Sequence, residues 1–429
     1  MPRRTIVDTQ TVAAPVANPA DTSAEVNAGD SLTRRQRLMY VLVLGALVAL
    51  GPFTIDLYLP AFPQVALDLV TSDAAIQLTL TATAVGFGLG QLIVGPLSDS
   101  LGRRRPLLIA TGVHVVASIA VAFAPTVEWV MVGRVFQGIG AAGGGVVAMA
   151  MVRDLFGGQQ LIRMLSRLVL VMGFAPVFAP VIGSQLLRVV EWRGVFLVLA
   201  AYGVLMTVVA GFMLRETLPP VNRGALSSAA VGKRYRKLLG DPAFISIAVI
   251  GSATFTSLFS YLSASSFVLQ GEHGLTPQQY GYVFGLNSIG LIASTQISAR
   301  LMRRITPSTV TAIGLTIMTG GAAALLAGVV LGWGLIGVVI PLVFAIGAAG
   351  LVFPTVQVMA LKDHPREAGT AAALIGAMNM GIAGAVSPVV GVLGNTTLAM
   401  ATVMLGSLAV GQAALWLVVR RRVSHEVVH

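Results

Sequence analysis

The feature that most constrains this chain is a series of apolar segments that recurs about a dozen times, each near the roughly 20 residues that a helix needs to cross a hydrocarbon layer. The segments are continuously apolar rather than alternating, which favours helices over a β-barrel. Only 10% of the residues are charged, against about a quarter in soluble domains. We therefore expect an all-α integral membrane protein.

The apolar segments fall into two groups of six. The expected spans are 36–60 with a bend that can extend it to 69, 74–97, 105–124, 127–152, 160–187 and 192–214, then 242–270, 277–301, 306–329, 332–361, 366–392 and 396–420. We divide the chain into a disordered tail (1–35), a six-helix bundle (36–214), a linker (215–241), a second six-helix bundle (242–420) and a short tail (421–429).

The distribution of charge predicts the topology. The net charge is +11, and 25 of the 28 Lys and Arg residues lie in the tails or in alternate loops. By the positive-inside rule both termini are cytoplasmic, so the basic excess does not indicate nucleic acid. The absence of cysteine excludes cysteine-based metal sites, and the five scattered His residues have no ligand spacing. We expect no metal and no other cofactor.

Two charged residues remain inside spans, where each costs at least about 2.5 to 3.5 kcal/mol at a helix centre. Asp56 lies in GPFTIDLYLPAFP (51–63), and Arg134 lies in MVGRVFQGIGAAGGG (131–145). If the first span ends at Pro60, Asp56 is near the outer interface and idle. If the helix bends at the prolines and continues to Leu69, the carboxylate lies inside the membrane, which is the reading that we favour.

A carboxylate inside the membrane could carry a proton. Burial favours its protonated form, and a change of solvation or a nearby cation reverses this preference. No other acid is expected at that depth, so a proton-coupled protein would have to use Asp56. For Arg134, one role is structural, through bonds to carbonyls or to Gln137. The alternative role is to lower the proton affinity of Asp56 in one conformation.

Two further motifs interrupt the apolar pattern. In GPLSDSLGRRRP, the ordered set Gly95, Asp99, Gly102, Arg103 and Arg104 is more specific than an ordinary basic loop, and it predicts a cytoplasmic gate in which Asp99 accepts from a helix N-terminus or an arginine. SARLMRRITP (298–307) echoes this loop in the second half, as expected for a transporter built from two similar bundles.

APVFAPVIGS (175–184) places two prolines four residues apart in the fifth span, which bends the helix either as a packing irregularity or as a hinge. Residues inside spans that are candidates for a substrate cavity, although such residues more often only pack, are Phe53, Tyr58, Gln137, Phe255, Phe259, Asn287 and Asn379. No phosphate-binding G-x-x-x-x-G-K-[ST] motif is present, which argues against direct use of ATP.

These motifs resemble those of the major facilitator superfamily, and more closely its bicyclomycin-resistance type drug/proton antiporters. GPLSDSLGRRRP is similar to the signature loop between helices two and three, and RVFQGIGAA to the helix-four motif whose arginine is Arg134. APVFAPVIGS resembles the antiporter motif, with Ala179-Pro180 and Gly183-Ser184 where the general pattern has Gly-Pro and Gly-Gly. Ala179 and Ser184 depart from that pattern, although the Ala-Pro form is similar to the one in this subgroup. TIDLYLPAFP resembles the helix-one motif whose acid, here Asp56, is a proton and cation site.

The resemblance implies a twelve-helix fold, alternating access between two bundles, and proton-driven export of small lipophilic drugs across the cytoplasmic membrane. The expected partners are therefore drug-like molecules, protons and the lipid bilayer, and we expect a monomer. A facilitator or proton-coupled importer on the same fold is the alternative function. A membrane enzyme or receptor is disfavoured because the loops are too short to hold a catalytic site or a soluble domain.

Overall fold

The computed structural model describes residues 32–223, 235–362, 364 and 368–426, so the tail before residue 32, residues 224–234 of the central linker, residues 363 and 365–367, and the last three residues lie outside the described part. The described residues contain helices and no strand. The helices are α1 (Arg34–Asp56), α2 (Phe62–Asp68), α3 (Asp73–Leu101), α4 (Arg104–Ala122), α5 (Val127–Leu155), α6 (Gly158–Leu186), α7 (Trp192–Met213), α8 (Pro242–Ser266), α9 (Pro277–Leu301), α10 (Pro307–Val330), α11 (Ile336–Gly347), α12 (Ala349–Lys362), α13 (Ala368–Val386), α14 (Pro388–Val392) and α15 (Thr397–Glu426).

The starts of α8, α9 and α10 follow from their sequences. Each helix has proline at its first position, where a missing N–H costs nothing. The residue before it is Asp241, Thr276 or Thr306, whose side chain accepts a backbone N–H at 2.8, 3.2 and 3.3 Å respectively. These side chains satisfy donors that the first turn of a helix leaves unpaired.

The all-helical membrane fold that the sequence predicts is confirmed. Among the described residues, eleven helical segments are long and apolar enough to cross a membrane. The remaining expected span, α9, has 25 residues but carries buried polar side chains, including Asn287, Ser294 and Ser298. These polar residues lower the mean hydropathy of α9, and the membrane tolerates them because they face the protein interior.

Three of the spans are broken rather than continuous. The first consists of α1, a short 3₁₀ turn at Leu59–Ala61, and α2, so the chain continues in helical form past both Pro60 and Pro63. The tenth expected span divides into α11 and α12, and the eleventh into α13 and α14. Broken helices are tolerated at membrane depth where neighbouring protein satisfies the freed backbone groups.

The two halves of the chain repeat the same helix pairing. In the first half α3 packs on α5, and α4 on α7; in the second half α9 packs on α11 and α12, and α10 on α15. The halves meet through α6 against α9 and through α3 against α13 and α14. In each of these two interfaces, the second span of one half packs against the fifth span of the other half. We call the end of the bundle that carries Arg103, Arg153 and Arg300 the arginine-rich end, and the opposite end the arginine-poor end.

The α3–α5 pair is close because both helices present glycine at their crossing. A Cβ added to Gly86 would lie 2.0 Å from the carbonyl oxygen of Val135, and one added to Gly138 would lie 2.3 Å from that of Thr83. Neither space can hold a methyl group. Backbone contact of this kind is how helices associate where lipid removes the hydrophobic driving force between them.

We predict that Gly138→Ala destabilises the protein by at least about 1 to 3 kcal/mol, because the new methyl group forces α3 and α5 apart. Gly145→Ala on the same helix is the matched control, since an added Cβ there has no neighbour within 4 Å. Thermal unfolding of the purified protein in detergent measures both effects. Equal midpoints for the two variants would contradict this account of the helix crossing.

Candidate functional site

Asp56 is the last residue of α1 and lies in the protein interior. Its exposed fraction is 4%. Twelve residues separate it from Asp68, or about 18 Å at about 1.5 Å per residue. Asp68 ends α2 at the arginine-poor end, where it pairs with Arg193 and accepts from Trp192 Nε1 at 3.0 Å. This geometry places Asp56 well inside the bundle, as the interior interpretation of GPFTIDLYLPAFP requires.

The Asp56 carboxylate has no hydrogen-bond donor among the described residues. It does lie close enough to Arg134, in its own half, to interact with it electrostatically. It also interacts electrostatically with Tyr261 and Tyr280, which belong to the second half. The turn Leu59–Ala61 that follows Asp56 packs on α6 of the first half and on α8 and α9 of the second. Asp56 therefore lies next to the interface between the two halves, without a hydrogen-bond donor in the described part of the chain.

Arg134 is fully buried and binds the end of α1. Its Nη1 donates to the carbonyl oxygen of Thr54 and to Gln137 Oε1, both at 2.7 Å. Thr54 lies in the last turn of α1, where carbonyls lack a partner within the helix and the helix dipole is negative. The guanidinium also lies over the rings of Tyr58 and Phe196, at 5.1 and 5.6 Å from their centroids.

Two nitrogen atoms of Arg134, Nε and Nη2, have no hydrogen-bond acceptor in the described part of the chain. The carbonyl and Gln137 contacts are those of the structural role considered above. The nearby Asp56 and the two idle donors are what the electrostatic role requires. The structure contains the contacts of the structural role, and the electrostatic role stays a prediction.

His114 completes a ring of hydrogen bonds around Arg134, and sequence reasoning missed it. Its Nε2 lies 2.9 Å from Thr54 Oγ1. The His114 carbonyl accepts from Ser118 Oγ at 2.7 Å. Ser118 Oγ in turn accepts from Gln137 Nε2 at 2.8 Å. A single histidine has no spacing to detect. The available signal was its position near the middle of an apolar span.

The candidate cavity residues separate into two groups. Tyr58, Gln137, Phe259 and Asn287 are fully buried, whereas Phe53, Phe255 and Asn379 are half-buried.

In the second half, the Phe255 and Phe259 rings stack at 5.8 Å, and Asn379 Oδ1 accepts from Ser252 at 3.1 Å. Asn287 Nδ2 donates to the Tyr261 hydroxyl at 2.9 Å. In the described part of the chain, no ring contact or hydrogen bond joins Phe53 to this group.

The predicted gate loop forms an ion-pair network at the arginine-rich end. Asp99, whose side chain is largely exposed, pairs with Arg103 four residues later. Arg103 also donates from Nε to Asp154 Oδ2 at 2.8 Å and from Nη1 to Ser98 Oγ at 2.9 Å. Asp154, at the end of α5, did not stand out in the sequence. Gly95 lies in α3, where an added Cβ would make an ordinary contact with α5.

Glu216, just after α7, accepts the N–H groups at the start of α4. Its two carboxylate oxygens lie 2.8 Å from the nitrogen of Arg103 and 3.2 Å from that of Arg104. Gly102 has a φ of +91°, and an added Cβ would lie 2.5 Å from Glu216 Oε2, so glycine is required there. Burial alone would raise the pKa of Glu216, but these N–H donors and Arg223 lower it overall.

The predicted hinge segment lies where three helices meet. Ala179, Pro180 and Gly183 are all buried in α6, which runs without interruption through both of its prolines. A Cβ on Gly183 would lie 2.1 Å from the carbonyl oxygen of Leu57, so α6 touches the chain just after Asp56. The carbonyl of Ser184 accepts from Gln278 of α9 at 2.8 Å.

The halves are joined by hydrogen bonds towards the arginine-poor end. Besides Gln278, the donors are Gln77 to Asn395, Thr81 to the Gly384 carbonyl at 3.0 Å, and Gln270 to the Pro60 carbonyl at 3.1 Å. We call these four bonds the seam. They join the two halves beyond Asp56 on that side.

We predict that Glu216→Gln accelerates hydrogen exchange at the Arg103 and Arg104 amides by about two- to tenfold, the effect of losing about 0.5 to 1.5 kcal/mol per bond. Because the pKa of Glu216 is lowered in the folded protein, its contribution is present above the ordinary Glu pKa. It is lost as the pH falls through the folded value. Exchange measured by mass spectrometry at two pH values tests this. Glu191→Gln, an exposed acid, is the control, and unchanged exchange in Glu216→Gln would contradict the capping role.

Comparison with known proteins identifies relatives along most of the chain. An uncharacterized MFS-type transporter of Bacillus subtilis, YdgK, is 33% identical over 393 residues, which are 91% of this chain and 98% of that protein. A bicyclomycin resistance protein homolog of Haemophilus influenzae is 30% identical over 349 residues, covering 81% and 88% of the two chains. Both alignments extend through both halves of the fold.

Among solved structures, the inward-facing, occupied form of a bacterial homolog of the human lysosomal transporter Spinster superposes with a TM-score of 0.72. It covers 91% of this chain and 98% of that chain at 16% identity, so it supports the fold alone. Residues 41–388 match the model of the Major Facilitator Superfamily. The broken first span, the paired bundles and the family match lead to one conclusion: this chain belongs to the Major Facilitator Superfamily and is a multi-pass secondary transporter, not an enzyme.

Proposed function

We propose that this transporter is a proton-coupled antiporter that exports small, mostly lipophilic drugs by alternating access. It would act as a monomer in the cytoplasmic membrane, with both termini and the arginine-rich end on the cytoplasmic side. The observation that carries this proposal is Asp56, a buried acid next to the interface between the halves that has no hydrogen-bond donor among the described residues. The bicyclomycin resistance homolog supports the class of substrate.

The proposed cycle uses the closed seam as one of its two end states. With the arginine-poor end sealed, a drug reaches the interior from the cytoplasm and Asp56 releases its proton to that side. Opening of the seam then exposes Asp56 to the outside, where a proton binds and the drug leaves. The proton gradient drives the cycle, and no cofactor takes part.

Arg134 is suited to coupling these steps. A cation close to a carboxylate favours its ionised form. The two free donors of Arg134 can therefore stabilise Asp56 after proton release, while Nη1 keeps its contact with the end of α1. The half-buried Phe53, Phe255 and Asn379 are the proposed drug contacts, and an aromatic lining suits lipophilic molecules.

We predict that Asp56→Asn abolishes pH-gradient-driven drug transport in proteoliposomes but preserves exchange of drug across the membrane without a gradient. Asparagine keeps the size of the side chain but cannot carry a proton. A panel that includes bicyclomycin and ethidium provides the probes, and Glu191→Gln is the control for loss of an acid. Gradient-driven transport at the wild-type rate in Asp56→Asn would contradict the proposal. Wild-type accumulation in the direction of proton flow would indicate an importer instead.

We predict that cross-linking the seam stops transport. The chain has no cysteine, so Gln77→Cys with Asn395→Cys introduces the only thiols. A short reducible cross-linker between them should hold the halves together and abolish drug transport until the link is reduced. The matched control is Glu272→Cys with Thr397→Cys, which joins two hydrogen-bonded residues at the same end but within one half. Continued transport through cross-linked protein would show that the seam need not open.

A further inference from the structure

His114 is a buried polar group to which the proposed cycle assigns no role. It lies near the middle of α4, with none of its surface exposed. Its Nε2 is 2.9 Å from Thr54 Oγ1, and the Thr54 hydroxyl also lies 2.6 Å from the carbonyl oxygen of Leu50. A hydroxyl has one hydrogen, and Thr54 donates it in the hydrogen bond to the Leu50 carbonyl. Thr54 Oγ1 therefore accepts a hydrogen bond from the Nε2–H of His114.

The residue that His114 holds is the same residue that holds Arg134. Thr54 lies two residues before Asp56, and its carbonyl oxygen accepts from Arg134 Nη1 at 2.7 Å. The hydroxyl bond to Leu50 is of the type that bends a helix. His114 thus fastens the last turn of α1 to α4, and this turn presents the carbonyl that Arg134 binds.

We propose that His114 is a positioning residue of the proton-coupling site. By fixing Thr54, it keeps Nη1 of Arg134 on the end of α1 and so limits how closely the free donors of Arg134 approach Asp56 in the conformation with the closed seam. This inference rests on the proposed function of Asp56. It deepens that proposal by naming the group that sets how strongly Arg134 acts on the acid. The role needs only a donor at Nε2 and requires no change in the charge of His114.

Arg134 is the charged group beside His114 that we expect to move when the His114 donor is lost. From α5 the site is faced by Arg134 and the uncharged Gln137, and from α1 by Thr54. From α7, Gly203 lies against the imidazole, and the adjacent Tyr202 hydroxyl is directed to the carbonyl of Ala46 at 2.6 Å. Without the His114 donor the end of α1 is released, and the free donors of Arg134 can approach Asp56.

Infrared titration of the full-length protein in liposomes tests this without a known drug. The carbonyl band of a protonated carboxyl that is missing in Asp56→Asn reports the protonation of Asp56. We expect His114→Leu to move the midpoint of this band by about one pH unit or more to lower pH, because a closer cation favours the ionised carboxylate. His114→Gln, whose amide offers an N–H in place of Nε2–H, should leave the midpoint unchanged.

Changes at Thr54 supply a second test that does not depend on folding of His114→Leu. Thr54→Val should give the same shift, Thr54→Ser should give none, and His114→Leu combined with Thr54→Val should shift no further than either alone. A midpoint that is equal in wild type, His114→Leu and Thr54→Val would overturn the role of His114 and leave the proposed function standing. If the wild type has no titrating Asp56 band, both the inference and the proposed function fail.

Discussion

The bond between Arg134 and the end of α1 is the interaction on which the interior of this protein depends. A charged side chain inside a membrane is costly unless other groups pair with it. Here the negative end of a helix, a free carbonyl and two aromatic rings compensate the guanidinium. In turn, the break in the first span is tolerated because Arg134 satisfies a carbonyl that the break exposes. The buried arginine and the broken helix therefore stabilise each other.

This arrangement is possible only because α5 lies very close to its neighbours. Gly138 brings the backbone of α3 within contact distance, and Gly140 does the same for α4 beside His114. Such contacts hold the donors and acceptors of the hydrogen-bond ring within bonding distance. At the arginine-rich end, ion pairs between carboxylates and arginines hold the helices together. Close packing governs the interior, and charge pairing governs the end.

Much of the architecture could be predicted because membranes impose simple rules on sequence. Length and hydropathy located the spans, and α9 was expected although its polar residues lower its hydropathy. Asp56 and Arg134 were recognisable because charge in an apolar span is rare. His114 was not recognisable because a single histidine has no spacing to detect. Asp154 and Glu216 were not recognisable because they lie among ordinary acids near the ends of spans. Their partners are more than 50 residues away in the chain.

The sequence by itself determined that this chain is a helical membrane protein of two related halves, and it singled out Asp56 and Arg134 as charged residues within apolar spans. These properties depend on local composition and spacing, which the bilayer reads directly. Only the tertiary structure decided that the first helix ends at Asp56, that Arg134 binds that end, and that His114 lies behind Thr54. Those contacts join α1, α4 and α5, and contacts between helices depend on how backbones pack in three dimensions, which no single segment specifies.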